Sequence, residues 1–452
     1  MDTQFLNEHL LPGKIGELFT IISFAASLIA AISYFLSAQS KVDETHSSWK
    51  KLARSSFFIH SFSVFGIFVT LFYLIFNHYF EYNYVWTHSS KALPFKYLLS
   101  CFWEGQEGSF LLWSTWNCFL SFFIIYKKGK WEAPVMTMVS LTQVVLSTML
   151  LGLYFFGEKI GSNPFTLLRD QMVGAPIFQQ PNYLASILDG NGLNPLLQNY
   201  WMVIHPPILF LGFASTLFPF ALVVAIMWKN DYEDFILPLL KWSLFSCMIL
   251  GTGIMMGGAW AYESLNFGGY WAWDPVENAS LVPWITMLAG LHTLMIYKAT
   301  GYSLKSTILF FIISFALVLY STFLTRTGIL GETSVHAFTG EGSSLFYHLL
   351  IFLFLFFIIG LFLFFKNYKK IPDLKKEEEA LSSREFWMFI GSLVLMISVV
   401  QITYTTSMPV WNKMFGTKLA ITNPIDHYNK IQIWITLLVL LGTATIYYFK
   451  FK

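Results

Sequence analysis

Apolar residues gather into long uninterrupted blocks near 15–36, 56–76, 109–126, 134–156, 207–228, 241–258, 284–300, 306–324, 345–365, 386–407 and 431–449. A block of about 17 to 25 such residues is long enough to cross a bilayer as an α-helix. Helices are what hydrocarbon permits, because it offers no partner to an exposed backbone N–H or C=O. The pattern therefore predicts an all-α polytopic integral membrane protein with eleven transmembrane helices. Basic residues fall on alternate connections: Lys41, Lys50, Lys51 and Arg54, then Lys127, Lys128 and Lys130, then Lys229 and Lys241, then Lys298 and Lys305, then the group from Lys366 to Arg384. By the positive-inside rule these connections are cytoplasmic, so the N-terminus lies outside and the C-terminus in the cytoplasm. The chain reads as one integral membrane domain, 1–452, with 366–385 as a cytoplasmic linker and 386–452 as two C-terminal helices joined by an outer loop.

Composition agrees with the pattern. Of 452 residues, 55% are hydrophobic and only 12% charged, against roughly a quarter charged in soluble domains. The net charge of +2, without a dense basic cluster, argues against a nucleic-acid partner. Cys101, Cys118 and Cys247 form no CxxC pair, no CxxCH haem-attachment site and no zinc spacing. The first block lacks the basic start and cleavage site of a signal peptide, so it is expected to remain as a membrane anchor. Two outer loops are long: 157–206, rich in Gly, Pro and Asn, and 325–344, which holds Arg326, Gly328, Gly331, His336 and Gly340. Long ordered loops tend to carry function.

Between the sixth and seventh blocks lies Phe267-Gly-Gly-Tyr-Trp-Ala-Trp-Asp-Pro-Val-Glu-Asn-Ala-Ser-Leu-Val-Pro-Trp284, on the outer side and without a Lys or Arg. Gly268 and Gly269 free the backbone for a turn. If the following residues are extended, Trp271 and Trp273 present two indole faces on one side. Asp274, Pro275 and Glu277 then read as a helix start, with Asp at the N-cap, Pro at the first position and Glu closing a capping box. The segment is either an interfacial aromatic belt or a shelf for a flat aromatic ligand.

Three of the ten histidines suit haem iron, for which imidazole is a common axial ligand. His205 opens the fifth helix in Ile204-His-Pro-Pro207, and His336 lies in the loop after the eighth; an ordinary loop or helix-end role is the alternative for each. His292 sits about 12 Å into the seventh block when counted from Trp284, where an ionisable side chain is a functional candidate or a neutral imidazole bonded to a neighbouring helix.

The tryptophan-rich segment resembles the "WWD" signature of membrane haem-handling proteins, with Phe267 where that signature usually has its first Trp. Trp103-Glu-Gly-Gln-Glu-Gly-Ser109 followed by Leu-Leu-Trp113, Gly192-Leu-Asn-Pro-Leu-Leu-Gln198, His205-Pro-Pro207, Ser334-Val-His-Ala-Phe338 and Ser383-Arg-Glu-Phe386 add to it. In that order they resemble the CcmF-type cytochrome c maturation haem lyase family from about residue 97 to the end. The core haem-handling region is accordingly expected over 97–365, with the WWD segment at 266–284.

The resemblance implies a protein of the inner (plasma) membrane. It implies haem b delivered by a CcmE-like chaperone onto a shelf of Gly268, Gly269, Trp271, Trp273, Asp274, Pro275 and Glu277, with His205 and His336 on its iron. His292 resembles one of two membrane histidines that hold a second, buried haem. The other lies in family helices beyond residue 452, and the last two blocks here contain no His. His60 and His348 sit at opposite ends of their helices and are not expected to substitute. A second chain supplying that histidine, as in split lyases, is therefore the expectation.

The implied activity is a haem lyase joining haem vinyl groups to the CxxCH thiols of apocytochrome c, alongside thiol-handling partners. No general base is assignable, and Arg326 is placed to pair with a propionate. Haem presentation to a chaperone without ligation, a polytopic transporter, and a scaffold for assembling a respiratory complex are the competing readings; a transporter predicts broken helix pairs and several buried charges.

Overall fold

A computed structural model describes residues 5–155, 158–264, 269–331, 333–334, 343–372 and 381–451. Phe267, Gly268, His336 and residues 373–380 of the 366–385 linker thus lie outside the described residues. Among those described, eleven helices are long and apolar enough to cross a membrane, and the protein is a multi-pass helical membrane protein. The chain divides into two compact units, Met1–Ala214 and Ser215–Lys452.

The first unit contains α1 (Leu10–Gln39), α2 (Asp43–Phe76), α3 (Asn83–His88), α4 (Phe95–Glu104), α5 (Gln106–Lys127), α6 (Glu132–Leu151), α7 (Leu168–Gln171) and the start of α8 (Tyr200–Lys229). A short antiparallel hairpin pairs β1 (Leu153–Phe155) with β2 (Glu158–Ile160). α1 packs on α2 and α6, and α5 packs on α2 and α6, so the four long helices close a ring. α2 starts thirteen residues before its apolar block. Asp43 and Glu44 in its first turn complement the helix dipole, and the charged turns continue the helix beyond the apolar stretch.

At one end of this bundle Arg54 grips Glu132 with two bonds, Nε to Oε1 and Nη2 to Oε2, both 2.6 Å. Lys50 Nζ adds a third contact to Oε2 at 3.2 Å. The Glu132 side chain is 0% exposed, so α2 and α6 are joined by a buried ion cluster. At the other end the long loop is strapped to the segment just before α1: Arg169 Nε and the Tyr183 hydroxyl both donate to Glu8 Oε1, at 2.8 and 2.7 Å. Burial, followed by its bond to Glu8, pushes the Tyr183 phenol well above its ordinary pKa. Phe165 presses on Gly16 so closely that a Cβ there would lie 2.3 Å from its ring.

The second unit holds the rest of α8, then α9 (Ile236–Ser264), α10 (Pro275–Thr300), α11 (Leu304–Arg326), α12 (Ser343–Asn367), α13 (Arg384–Thr406), α14 (Met408–Phe415) and α15 (Pro424–Thr445). α10 is its centre, in contact with α9, α11 and α13, and α15 packs on α13. Val282, Ile285, Val399, Ile402 and Tyr428 form a buried cluster from α10, α13 and α15, with Trp273 and Trp284 against it. The tryptophan-rich segment therefore rests on the apolar core of this unit. α15 begins at Pro424 rather than 431, and so contains His427. This corrects the expectation of no histidine in the last two helices, but His427 lies in the first turn, not at mid-helix.

Candidate functional site

The helix start expected at Asp274 is formed. Asp274 is the N-cap of α10, with Pro275 in the first turn and a complete capping box. Asp274 Oδ1 accepts from Val276 N at 2.9 Å. Glu277 Oε2 accepts from Asp274 N and Ala272 N, both at 3.1 Å, so one carboxyl collects two backbone donors that would otherwise be orphaned. Asp274 Oδ1 also accepts from Ser334 Oγ at 2.9 Å. Ser334 is two residues before His336. The cap of α10 and the loop after α11 are therefore fastened together, a link the sequence did not announce.

Tyr270 and Trp284 dock the segment on α9. The Tyr270 hydroxyl donates to the Met255 carbonyl, and its ring lies where a Cβ on Gly258 would be, 2.5 Å away. Trp284 Nε1 donates to the Cys247 carbonyl at 2.9 Å. Gly269, by contrast, has open space around its Cα.

The two tryptophans do not form a flat shelf. Trp273 has φ +57°, a left-handed backbone that costs an L-residue roughly 1–2 kcal/mol. The extended conformation that would align the two indoles is therefore absent, and Trp271 meets Trp273 edge to face, 5.9 Å between centroids at 89°. What results is a corner with one indole face and one indole edge. Asn278 Nδ2 donates to the Trp273 carbonyl at 3.0 Å, holding that backbone. Trp273 stacks on Tyr428 of α15 at 5.0 Å and 15°, and its Nε1 donates to Asn429 Oδ1 at 2.9 Å. Trp271 Nε1 is buried and makes no bond, leaving a donor at the corner. Asn278, which bonds the Trp273 backbone, also lines a small cavity with Tyr320, Thr403 and Thr406, with room for about one water molecule. It is far too small for a large planar ligand, which needs a pocket of roughly 300–1,000 Å³ to be enclosed.

Arg326 is the last residue of α11, where a cation suits the helix dipole. His292 is half-buried, and its Nδ1 donates to the Leu288 carbonyl at 2.7 Å. That bond leaves Nε2 as the acceptor nitrogen, the arrangement usual for a metal-bound imidazole. Because α10 begins at Pro275, His292 stands about 26 Å from the helix start and about 12 Å beyond Trp284. His348 lies near the start of α12.

In the first unit His205 is half-buried in the second turn of α8, which starts at Tyr200 and not at His205. Pro206 has no N–H, so the Met202 carbonyl lacks the donor it would have in a regular helix. Trp103 Nε1 supplies that donor at 2.9 Å. The tryptophan of the Trp-Glu-Gly-Gln-Glu-Gly motif thus completes the helix turn that carries His205. Trp103→Phe is expected to leave the Met202 carbonyl buried without a donor, costing about 1–3 kcal/mol. Hydrogen–deuterium exchange over residues 200–210 should then rise about tenfold, and unchanged exchange would refute the assignment. His60 is fully buried on α2, with Nδ1 donating to the Ser23 carbonyl at 2.9 Å. Burial pushes the Cys101 thiol up to about 12, so it is protonated at neutral pH and not a nucleophile.

The model of the family described as cytochrome C assembly protein matches residues 103–330, which contain Trp103, His205, the tryptophan-rich segment, His292 and Arg326. The cytochrome c-type biogenesis protein CcmF of Pseudomonas fluorescens is 31% identical over 97% of this chain and 62% of its own length. The cytochrome c-type biogenesis protein NrfE of Haemophilus influenzae is 35% identical over 60% of this chain and 40% of its own. A solved structure described as the cytochrome c haem lyase CcmF superposes with a TM-score of 0.74 at 22% identity, covering 100% of this chain and 64% of that one. The chain thus spans about three-fifths of the length of these CcmF proteins. With half of its residues under the family model and its eleven spanning helices in the fold of that structure, the chain belongs to the cytochrome c assembly family, CcmF type.

Proposed function

We propose that this protein receives haem at the Trp271–Trp273 corner, on the outer face of the bacterial inner membrane, and takes part in its covalent attachment to apocytochrome c. The observation that carries this reading is the bond from Ser334 to Asp274, because it brings the loop of His336 to the tryptophan-rich segment. A macrocycle lying on one indole is bounded by the edge of the other. His205 and His336 are the imidazoles proposed for its iron, and Arg326 is the donor proposed for a propionate. His292, with Nδ1 engaged by the Leu288 carbonyl, would hold one side of a second, buried haem b through Nε2.

The chemistry asked of the chain is positioning. A cysteine S–H adds across a haem vinyl group: the sulfur–carbon bond forms, the vinyl π bond breaks, and the thiol proton ends on the other vinyl carbon. No oxidant or reductant is consumed. Holding haem still while a CxxCH segment approaches makes this addition effectively unimolecular. A CcmE-like chaperone is the proposed donor of haem and apocytochrome c its acceptor, with the chain acting within a larger assembly.

The test is a reduced-minus-oxidised visible spectrum of the detergent-purified chain, wild type and His205→Ala, His336→Ala and His292→Ala. Haem in the wild type that is lost with His205 or His336 supports the outer site, and a separate component lost only with His292 supports the buried one. Addition of an apocytochrome peptide should move the α-band to shorter wavelength as vinyl groups saturate; haem binding without that change marks presentation rather than ligation. A wild type without haem overturns the reading.

A further inference from the structure

We propose that Tyr428 and Asn429, in the first turns of α15, are positioning residues of the aromatic platform: they set the ring of Trp273 and through it the geometry with which haem is received. This rests on the reading of that corner as the haem site. It adds a part of the chain, about 155 residues further on, that none of the motifs touches.

The argument is one of degrees of freedom. A tryptophan with φ +57° persists only where its surroundings over-determine it. The capping box and the Asn278 bond fix the backbone at 272–274, but they leave the two side-chain torsions of Trp273 open. Beyond its packing on the apolar cluster and the edge of Trp271, a stack and a hydrogen bond orient the ring, and both come from α15. Tyr428 covers one indole face, with the rings 15° from parallel. Asn429 takes the indole N–H, which fixes the rotation of the ring in its own plane. Tyr428 is in turn held: it is 2% exposed, and its hydroxyl bonds Thr406 Oγ1 of α13 at 3.1 Å. Without this pair Trp273 is free to turn toward Trp271, and the corner closes.

Titration of the full purified chain with ferric haem, followed by Soret absorbance, tests the proposal. Trp273→Leu is expected to weaken binding about tenfold. Tyr428→Leu should weaken it about three- to tenfold and Asn429→Ala about threefold, the range of an aromatic pair and a single hydrogen bond. Tyr428→Phe keeps the stack and should stay within twofold of wild type. The Trp273→Leu/Tyr428→Leu double variant should bind no more weakly than Trp273→Leu alone, since α15 acts through that indole; additive losses would overturn the proposal, because a role in stability alone gives them. Wild-type affinity in Tyr428→Leu and Asn429→Ala, with loss in Trp273→Leu, would also overturn it and leave the haem site standing. Wild-type affinity in Trp273→Leu would remove both. If Tyr428→Leu does not fold, Asn429→Ala, at a half-exposed position, decides alone by the same criterion.

Discussion

Replacing Glu132 with leucine is expected to destabilise the first helix bundle by about 3–5 kcal/mol, the cost of breaking a buried ion pair on one side only. Glu132 is wholly enclosed, while the side chains of Arg54 and Lys50 are 25% and 18% exposed. The substitution therefore strands two largely buried cations beside a leucine. Removing all three charges together, as Lys50→Met, Arg54→Leu and Glu132→Leu, should recover most of the loss, because the desolvation cost leaves with the charges. Reversible unfolding in denaturing detergent checks both. A single-variant loss below about 1 kcal/mol would mean that the cluster is solvated rather than structural.

Asp274→Ala is expected to have the next largest effect, and to show it in haem retention. The same oxygen caps α10 and holds Ser334, so the change removes an N-cap worth about 1 kcal/mol and the fastening of the loop that carries His336. A hydrogen bond to a carboxyl adds roughly 1.5–3 kcal/mol, and at 1.4 kcal/mol per decade the two together, about 2.5–4 kcal/mol, correspond to a loss of about two to three orders of magnitude in haem affinity. Asp274→Asn keeps an acceptor and should retain most of the binding. Ser334→Ala separates the two contributions, since it releases the loop and leaves the cap. Ser334→Ala at wild-type affinity would show that this loop takes no part in holding haem.

Much of this architecture was legible because membrane helices declare themselves by length and apolarity: all eleven expected spans appear. Their ends were less legible. An apolar block stops at the first charges, whereas a helix continues past it, as α2 does back to Asp43 and α15 back to Pro424. Where a specific end signal existed it was sufficient. The capping residues at Asp274, Pro275 and Glu277 marked the start of α10, nine residues before its apolar block.

The candidate site divides along the same line between local and distant. The cap is a local pattern, and it formed. The conformation of Trp273 is not local: alternation along an extended strand would have aligned the two indoles, but the backbone is left-handed and bonded by Asn278, and Tyr428 and Asn429 orient the indole. Nothing near residues 428 and 429 points to position 273. For Trp103 a signal did exist. Pro206 withholds the donor from Met202, so a donor from elsewhere was required, and only its identity had to await the fold.

The corner at Trp273 has a further consequence, which concerns handedness. Tyr428 covers one side of the indole, so whatever lies there meets the other side alone, and the edge of Trp271 bounds it in one direction only. The indoles are themselves asymmetric and are held by L-residues, so the corner is not superimposable on its mirror image. Haem is flat, but its two sides differ because its vinyl and propionate groups run around the ring in a fixed sense. If haem is received there as proposed, such a receptor would distinguish the two ways the macrocycle can be laid down, and so would select which vinyl group faces which incoming thiol.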